Sequence, residues 1–153
     1  MKYRFVLGLF LVPFMLILAA CGSSAAPSGS QQGQITPSGS QTVQVTLSDT
    51  KVDSLLTTFT AGMPYHFVVT NTGQAAHQFV MIPMGMGMEQ MSVDEMHHAA
   101  LYMYDSVAPG ETRMFDYTFA SSTAGQSLEF VCGTQGHYAA GMQLPFMVNP
   151  HGS

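Results

Sequence analysis

Three residues near the C-terminus carry donors that a soft transition metal would take. Cys132, His137 and Met142 lie in Cys132-Gly-Thr-Gln-Gly-His137-Tyr-Ala-Ala-Gly-Met142, each separated from the next by four residues. A thiolate, an imidazole and a thioether thus come from one short loop. Copper electron-transfer sites use such a set: two His and one Cys in a trigonal plane, with a long, weak axial Met. Zinc also accepts Cys and His, but the thioether argues for copper. The loop supplies one imidazole, so a second must come from elsewhere. His77 is the best placed, after the Asn71-Thr-Gly73 turn and at the mouth of a strand starting at Gln78. Its rival, His66, falls mid-strand, where a core or solvent-facing role is the simpler reading. Four protein donors leave no open position for a substrate, unlike a catalytic metal site. A copper oxidase or reductase needs a second, open centre, and six histidines in all are too few for both. The chain is therefore expected not to be an enzyme.

Firm positioning of these donors needs strand ends, and the pattern supplies them. Val43–Leu47 alternates apolar and polar residues, the period of a half-buried strand. Residues 55–60, 65–70, 78–82, 113–119, 128–132 and 144–148 are further β-prone runs, separated by turn signals such as Ala61-Gly62 and Ala108-Pro-Gly110. Many short strands between Gly and Pro turns predict an all-β sandwich. One stretch departs from this. Ser92-Val-Asp-Glu95 has capping-box spacing, and the residues after it form helices readily. The pattern predicts a short helix over 93–104, inserted between two strands.

The insertion is rich in methionine. Met81, Met84, Met86, Met88, Met91, Met96 and Met103 fall within 23 residues, together with His97 and His98. Thioether clusters bind Cu(I) with little competition from hard ions. Met84, Met86, Met88, Met96 and His97 are the candidates for such an additional Cu(I) site. The alternative is that the methionines fill an irregular core or form an adaptable docking patch.

The other end of the chain addresses it to a membrane. Lys2 and Arg4 precede an apolar run from Phe5 to Ala20, which ends Leu18-Ala19-Ala20-Cys21. That is the layout of a secretory signal, and the run is short for a membrane span of ~20 residues. Residues 18–21 also resemble the bacterial lipobox, whose cysteine is lipidated and becomes the new N-terminus. Residues 1–20 are thus expected to be a lipoprotein signal peptide. Residues 21–41 follow as an uncharged Ser/Gly/Pro/Gln tether, 42–149 as the folded domain and 150–153 as a tail. This places the domain outside the cytoplasm, on a cell-surface or periplasmic membrane face. Beyond Cys21, only Lys51 and Arg113 oppose nine carboxylates, a balance of −7. Such a surface has no basic footprint for nucleic acid.

At the residues quoted the chain resembles the cupredoxins, the type 1 blue copper proteins. Three stretches carry the likeness: Ala61-Gly-Met-Pro-Tyr-His-Phe-Val-Val-Thr-Asn-Thr-Gly73 leading to His77, Val107-Ala-Pro-Gly-Glu-Thr112, and Phe130-Val-Cys132 through Met142. The ligand-loop spacing is similar to that of auracyanins and rusticyanins, and the lipobox with its tether is similar to the membrane-anchored auracyanins. Gln135 stands before Gly136 where the family commonly has Pro. The resemblance implies a Greek-key β-sandwich holding one copper ion at His77, Cys132, His137 and Met142. It also implies Gln78 as a polar brace for the thiolate, and one-electron transfer between redox protein partners by a monomer. Copper sequestration or delivery, alongside copper-handling proteins, is the alternative that the methionine segment suggests. The anchor is directly testable. Cys21→Ser is expected to release the protein from cell membranes, because no later segment is long or apolar enough to hold it; fractionation of cells carrying each form checks this.

Overall fold

The computed structural model describes residues 39–152. The signal peptide, Cys21 and the tether up to residue 38 lie outside the described residues, as does Ser153. The first strand, β1, spans Gln41–Leu47 and so begins at the last residue assigned to the tether. It is followed by β2 (Val52–Ser54), β3 (Thr58–Thr60), β4 (Pro64–Asn71) and β5 (His77–Pro83). Then come a helix, α1 (Val93–Ala99), and the strands β6 (Tyr102–Val107), β7 (Thr112–Thr118), β8 (Ser127–Val131) and β9 (Gln143–Asn149). They form two sheets, ordered β2-β1-β4-β7 and β3-β9-β8-β5-β6. The chain passes between sheets from β2 to β3, β3 to β4, β4 to β5, β6 to β7 and β7 to β8, the cross-sheet connections of a Greek-key sandwich. Among the described residues no helix is long and apolar enough to cross a membrane.

Alternation decides which sheet face is dry. On β4, Tyr65, Phe67, Val69 and Asn71 are buried and the residues between them are not. On β1, Val43, Val45 and Leu47 point the same way. The inner faces meet in an aromatic core of Phe59, Phe67, Phe79, Phe119, Phe130 and Phe146, all essentially inaccessible. Phe130 stacks on Phe146 at 4.2 Å, and Phe67 of the opposite sheet meets Phe130 edge-on at 6.1 Å. Truncating one such ring typically costs about 3–5 kcal/mol, because the cavity does not close.

β5 and β8 break the alternation: Phe79, Val80, Met81 and Ile82 are all buried, as are Leu128, Glu129, Phe130 and Val131. Their outer faces are covered too. Val80, Ile82 and Val131 form a second cluster with Met88 and Met96 of the inserted segment. The insertion thus acts as a lid on one sheet, and its buried methionines are that lid's apolar underside.

The helix begins as expected and ends early. Ser92 accepts from the Glu95 N–H, and the Glu95 carboxylate accepts the Ser92 N–H at 2.8 Å, completing the capping box. It stops at Ala99, not at residue 104, because the following residues are claimed by β6. Tyr102, Met103 and Tyr104 pair with Met81, Val80 and Phe79 of β5, and the Tyr102 ring stacks on Phe115. Tertiary pairing of β-favouring tyrosines outweighs the local helix propensity of the run. Met103 therefore lies on β6 and not on the helix that carries Met96.

Glu129 is the one fully buried acid among the described residues. It sits on the outer face of β8 beneath the insertion and accepts hydrogen bonds from the Tyr138 hydroxyl and the Gly85 N–H. Burial pushes its carboxyl above the usual range, and those two donors oppose the shift only in part. A raised carboxyl keeps its proton in the folded chain to higher pH than in the unfolded one. Stability is then lost as pH rises from the ordinary glutamate value through the raised one. Glu129→Gln is expected to flatten that decline. The variant should melt a few degrees above wild type near neutral pH and show no difference in acid, as read from Tm across a pH series.

Candidate metal centre

Strand pairing brings the donors together. β5 and β8 run antiparallel with Val80 opposite Val131, so Cys132, the next residue, falls beside the start of β5 where His77 stands. His137 comes from the loop between β8 and β9. That loop is folded by its own backbone: His137 N–H donates to Thr134 O, Met142 N–H to His137 O, and Cys132 N–H to Met142 O, each at 3.0 Å. Gly136, at φ 80°, supplies the left-handed turn directly before His137.

The three side chains converge through the atoms a metal would use. Cys132 Sγ lies 3.7 Å from His77 Nδ1 and 3.4 Å from His137 Nδ1, and the two Nδ1 atoms are 3.3 Å apart. A first-row metal with bonds of about 2.0 Å to nitrogen and about 2.3 Å to sulfur, at trigonal angles, needs S···N of about 3.7 Å and N···N of about 3.5 Å. The observed triangle lies within about 0.3 Å of that requirement on every side. His77 and Cys132 are buried, while His137 is half-buried. Met142 is wholly buried, and its backbone bonds to both loop ligands. His66 takes no part: it lies on β4 in the other sheet, with Nδ1 2.7 Å from Asp116.

The surround is close-fitting. A side chain at Gly133 would run into Met96 Sδ and Gln78 Oε1, so glycine there lets both pack against the residue following Cys132. Gln78 Oε1 is buried beside that backbone with no hydrogen-bond partner. On its hidden side His77 presents Nε2 to Asp49 Oδ1 at 3.3 Å. The N–H groups of Ala75 and Gln74, and then His77, hold the Asp49 carboxyl below its ordinary value.

The inserted segment touches the ligand loop at several points. Ala139 N–H donates to Glu89 at 2.7 Å, Tyr138 packs into the second cluster, and Met96 reaches Gly133. The five candidates for an additional Cu(I) site are divided. Met88 and Met96 are core, Met84 and Met86 are exposed, and His97 pairs with Asp105 at 3.0 Å.

No protein-family model and no curated protein matches the sequence. Solved structures do match. The dithionite-reduced auracyanin of the photosynthetic bacterium Roseiflexus castenholzii superimposes with a TM-score of 0.58 at 19% identity, covering 73% of this chain and 99% of that one. Auracyanin B gives 0.56 at 19% identity, covering 76% and 94%. An azurin of the obligate methylotroph Methylomonas sp. strain J gives 0.53 at 11% identity, covering 74% and 99%. The chain has the cupredoxin fold. Within it, the His77–Cys132–His137 cluster fits one type 1 copper.

Sequence reasoning missed three contributors around this cupredoxin site: Asp49, Glu89 and the Glu129–Tyr138 pair. Asp49 reads as an ordinary turn residue, and only folding brings it to His77. Glu89 and Glu129 carry no spacing signal relative to the loop they support. If Met142 is the weak axial donor, Met142→Gln is expected to retain copper and lower the reduction potential, since a harder oxygen donor favours Cu(II) over Cu(I); voltammetry of both proteins checks this.

Proposed function

We propose that this chain is a type 1 copper protein that carries single electrons between redox protein partners at an extracytoplasmic membrane face, tethered there through lipidated Cys21. The observation that supports it is the buried triangle of one thiol and two Nδ1 atoms at trigonal-metal spacing. Copper bound there would supply the redox change, its two oxidation states sharing one compromise geometry. The chain's own part is to hold three donors rigidly, exclude water from Cys132 and His77, and leave His137 toward the surface. With Met142 as a fourth donor the site would offer no substrate position, which fits a carrier rather than an enzyme.

One observation favours a second reading, copper binding and delivery. Met86, Met91 and His98 line the same open cavity of about 510 Å³ in the insertion. Two thioethers and an imidazole are soft enough to take Cu(I). Two experiments address the two readings. The full-length chain should bind one Cu(II) with an intense visible thiolate-to-copper band, and Cys132→Ser should be colourless; a coloured Cys132→Ser protein would refute the site. In a Cu(I) titration against a competing chelator, an electron carrier should saturate at one equivalent. A second equivalent, lost on changing Met86 and Met91 to Leu, would move the reading to copper handling.

A further inference from the structure

His77 has no freedom to choose its orientation, and the residue that decides it lies outside the donor set. Its side chain is wholly enclosed. Nδ1 faces Cys132 Sγ and His137 Nδ1, while Nε2 faces Asp49 Oδ1. Asp49 is half-exposed, in the turn between β1 and β2, yet it is not a loose surface acid. The same Oδ1 accepts the N–H groups of Gln74 at 2.8 Å and Ala75 at 3.1 Å, in the segment that leads into His77. A side chain at Gly73 would collide with the Asp49 carboxylate, so glycine there permits the close approach. One carboxylate oxygen therefore gathers the approach segment and the imidazole together.

We propose that Asp49 is a positioning residue for the metal centre, the outer carboxylate of a carboxylate–histidine–metal relay. It holds the Nε2 proton of His77, which leaves the Nδ1 lone pair for the metal. Its negative charge makes the imidazole a stronger donor and so favours the more highly charged Cu(II). The tuning half of this proposal rests on the copper reading above; the tautomer half does not.

Asp49→Asn separates the two possible roles, because the amide keeps an oxygen acceptor for Gln74, Ala75 and His77 while losing the charge. Outer carboxylates of this kind are typically worth about 10- to 100-fold in metal affinity. The full-length Asp49→Asn protein should keep its thiolate band and bind Cu(II) about tenfold more weakly, with Cu(I) affinity unchanged. For a one-electron couple that is a rise of ~59 mV in reduction potential. A potential and Cu(II) affinity equal to wild type would overturn the tuning and leave Asp49 a loop brace only. Nitrogen NMR of the metal-free wild type, at a pH where the ring is neutral, should find His77 protonated on Nε2; a proton on Nδ1 would overturn the proposal outright. A wild type that lacks the thiolate band but carries the Nε2 proton would sink the copper reading while supporting the Asp49–His77 contact.

Discussion

The pairing of β5 with β8 sets everything else at the metal centre. Side chains alternate along a strand, so a slip of one residue would turn every inward group outward. Here the register puts Val80 opposite Val131. Phe79, Phe130 and Cys132 then belong to the main core, while Val80 and Val131 belong to the second cluster under the insertion. A sheet covered on one face could relax part of a register error toward solvent; this one would have to disrupt two cores at once. The relative position of His77 and Cys132 is therefore fixed by apolar groups that do no chemistry. At the mouth of β5 the pairing with β6 shifts register between His77 and Phe79. Such an irregularity re-aims a side chain at a strand end without disturbing the strand behind it.

The same constraint explains what the inserted segment does. A donor loop of eleven residues that begins at Cys132 and ends at Met142 holds only part of itself with its own backbone bonds. Gln135 occupies the place where a proline would have stiffened it. The insertion supplies support from outside: Glu89 accepts the Ala139 N–H and Met96 lies against Gly133, while Glu129 of β8 takes the Tyr138 hydroxyl from below. Methionine suits this duty because its unbranched, polarizable side chain fills gaps of irregular shape. Met88 and Met96 are thus accounted for by packing, and only exposed or half-exposed thioethers such as Met86 and Met91 remain available for chemistry.

Most of the sandwich was legible from period-two alternation and Gly/Pro punctuation, because those signals record burial on one face. The three clustered donors were legible for a related reason: Cys132 and His137 share one loop, and His77 follows a turn at a strand mouth. What escaped the sequence was set by long-range contact. β2 has three residues and exists only as an edge on β1. The end of α1 depended on β5 claiming Tyr102 to Tyr104. Asp49 lies 28 positions from His77, and nothing in its neighbours distinguishes it from a carboxylate that merely forms a turn. Local pattern reports which face is dry; it does not report which distant group that face will meet.

Burial also orders the donors by their reach. Cys132, His77 and the candidate axial Met142 are buried, whereas His137 is half-buried, so of these four residues it alone approaches the surface. The loop residues around it, from Gly133 to Gln143, include no Asp, Glu, Lys or Arg. The carboxylates that make the domain acidic lie elsewhere on the chain. For a carrier, that division separates two tasks that electrostatics and short-range packing perform differently. A net negative field draws in and orients a partner from a distance, and it weakens as salt is added. Close approach at His137 would then meet mostly uncharged loop side chains, with the Glu89 carboxylate on the Ala139 N–H as a charge at the border, so a partner could leave as readily as it came. For the proposed carrier, rapid exchange of partners and a rigid, water-poor centre would be compatible, because His137 and the buried cluster lie in different parts of the site. The strand ends keep Cys132 and Met142 fixed, and the turn at Gly136 carries His137 outward.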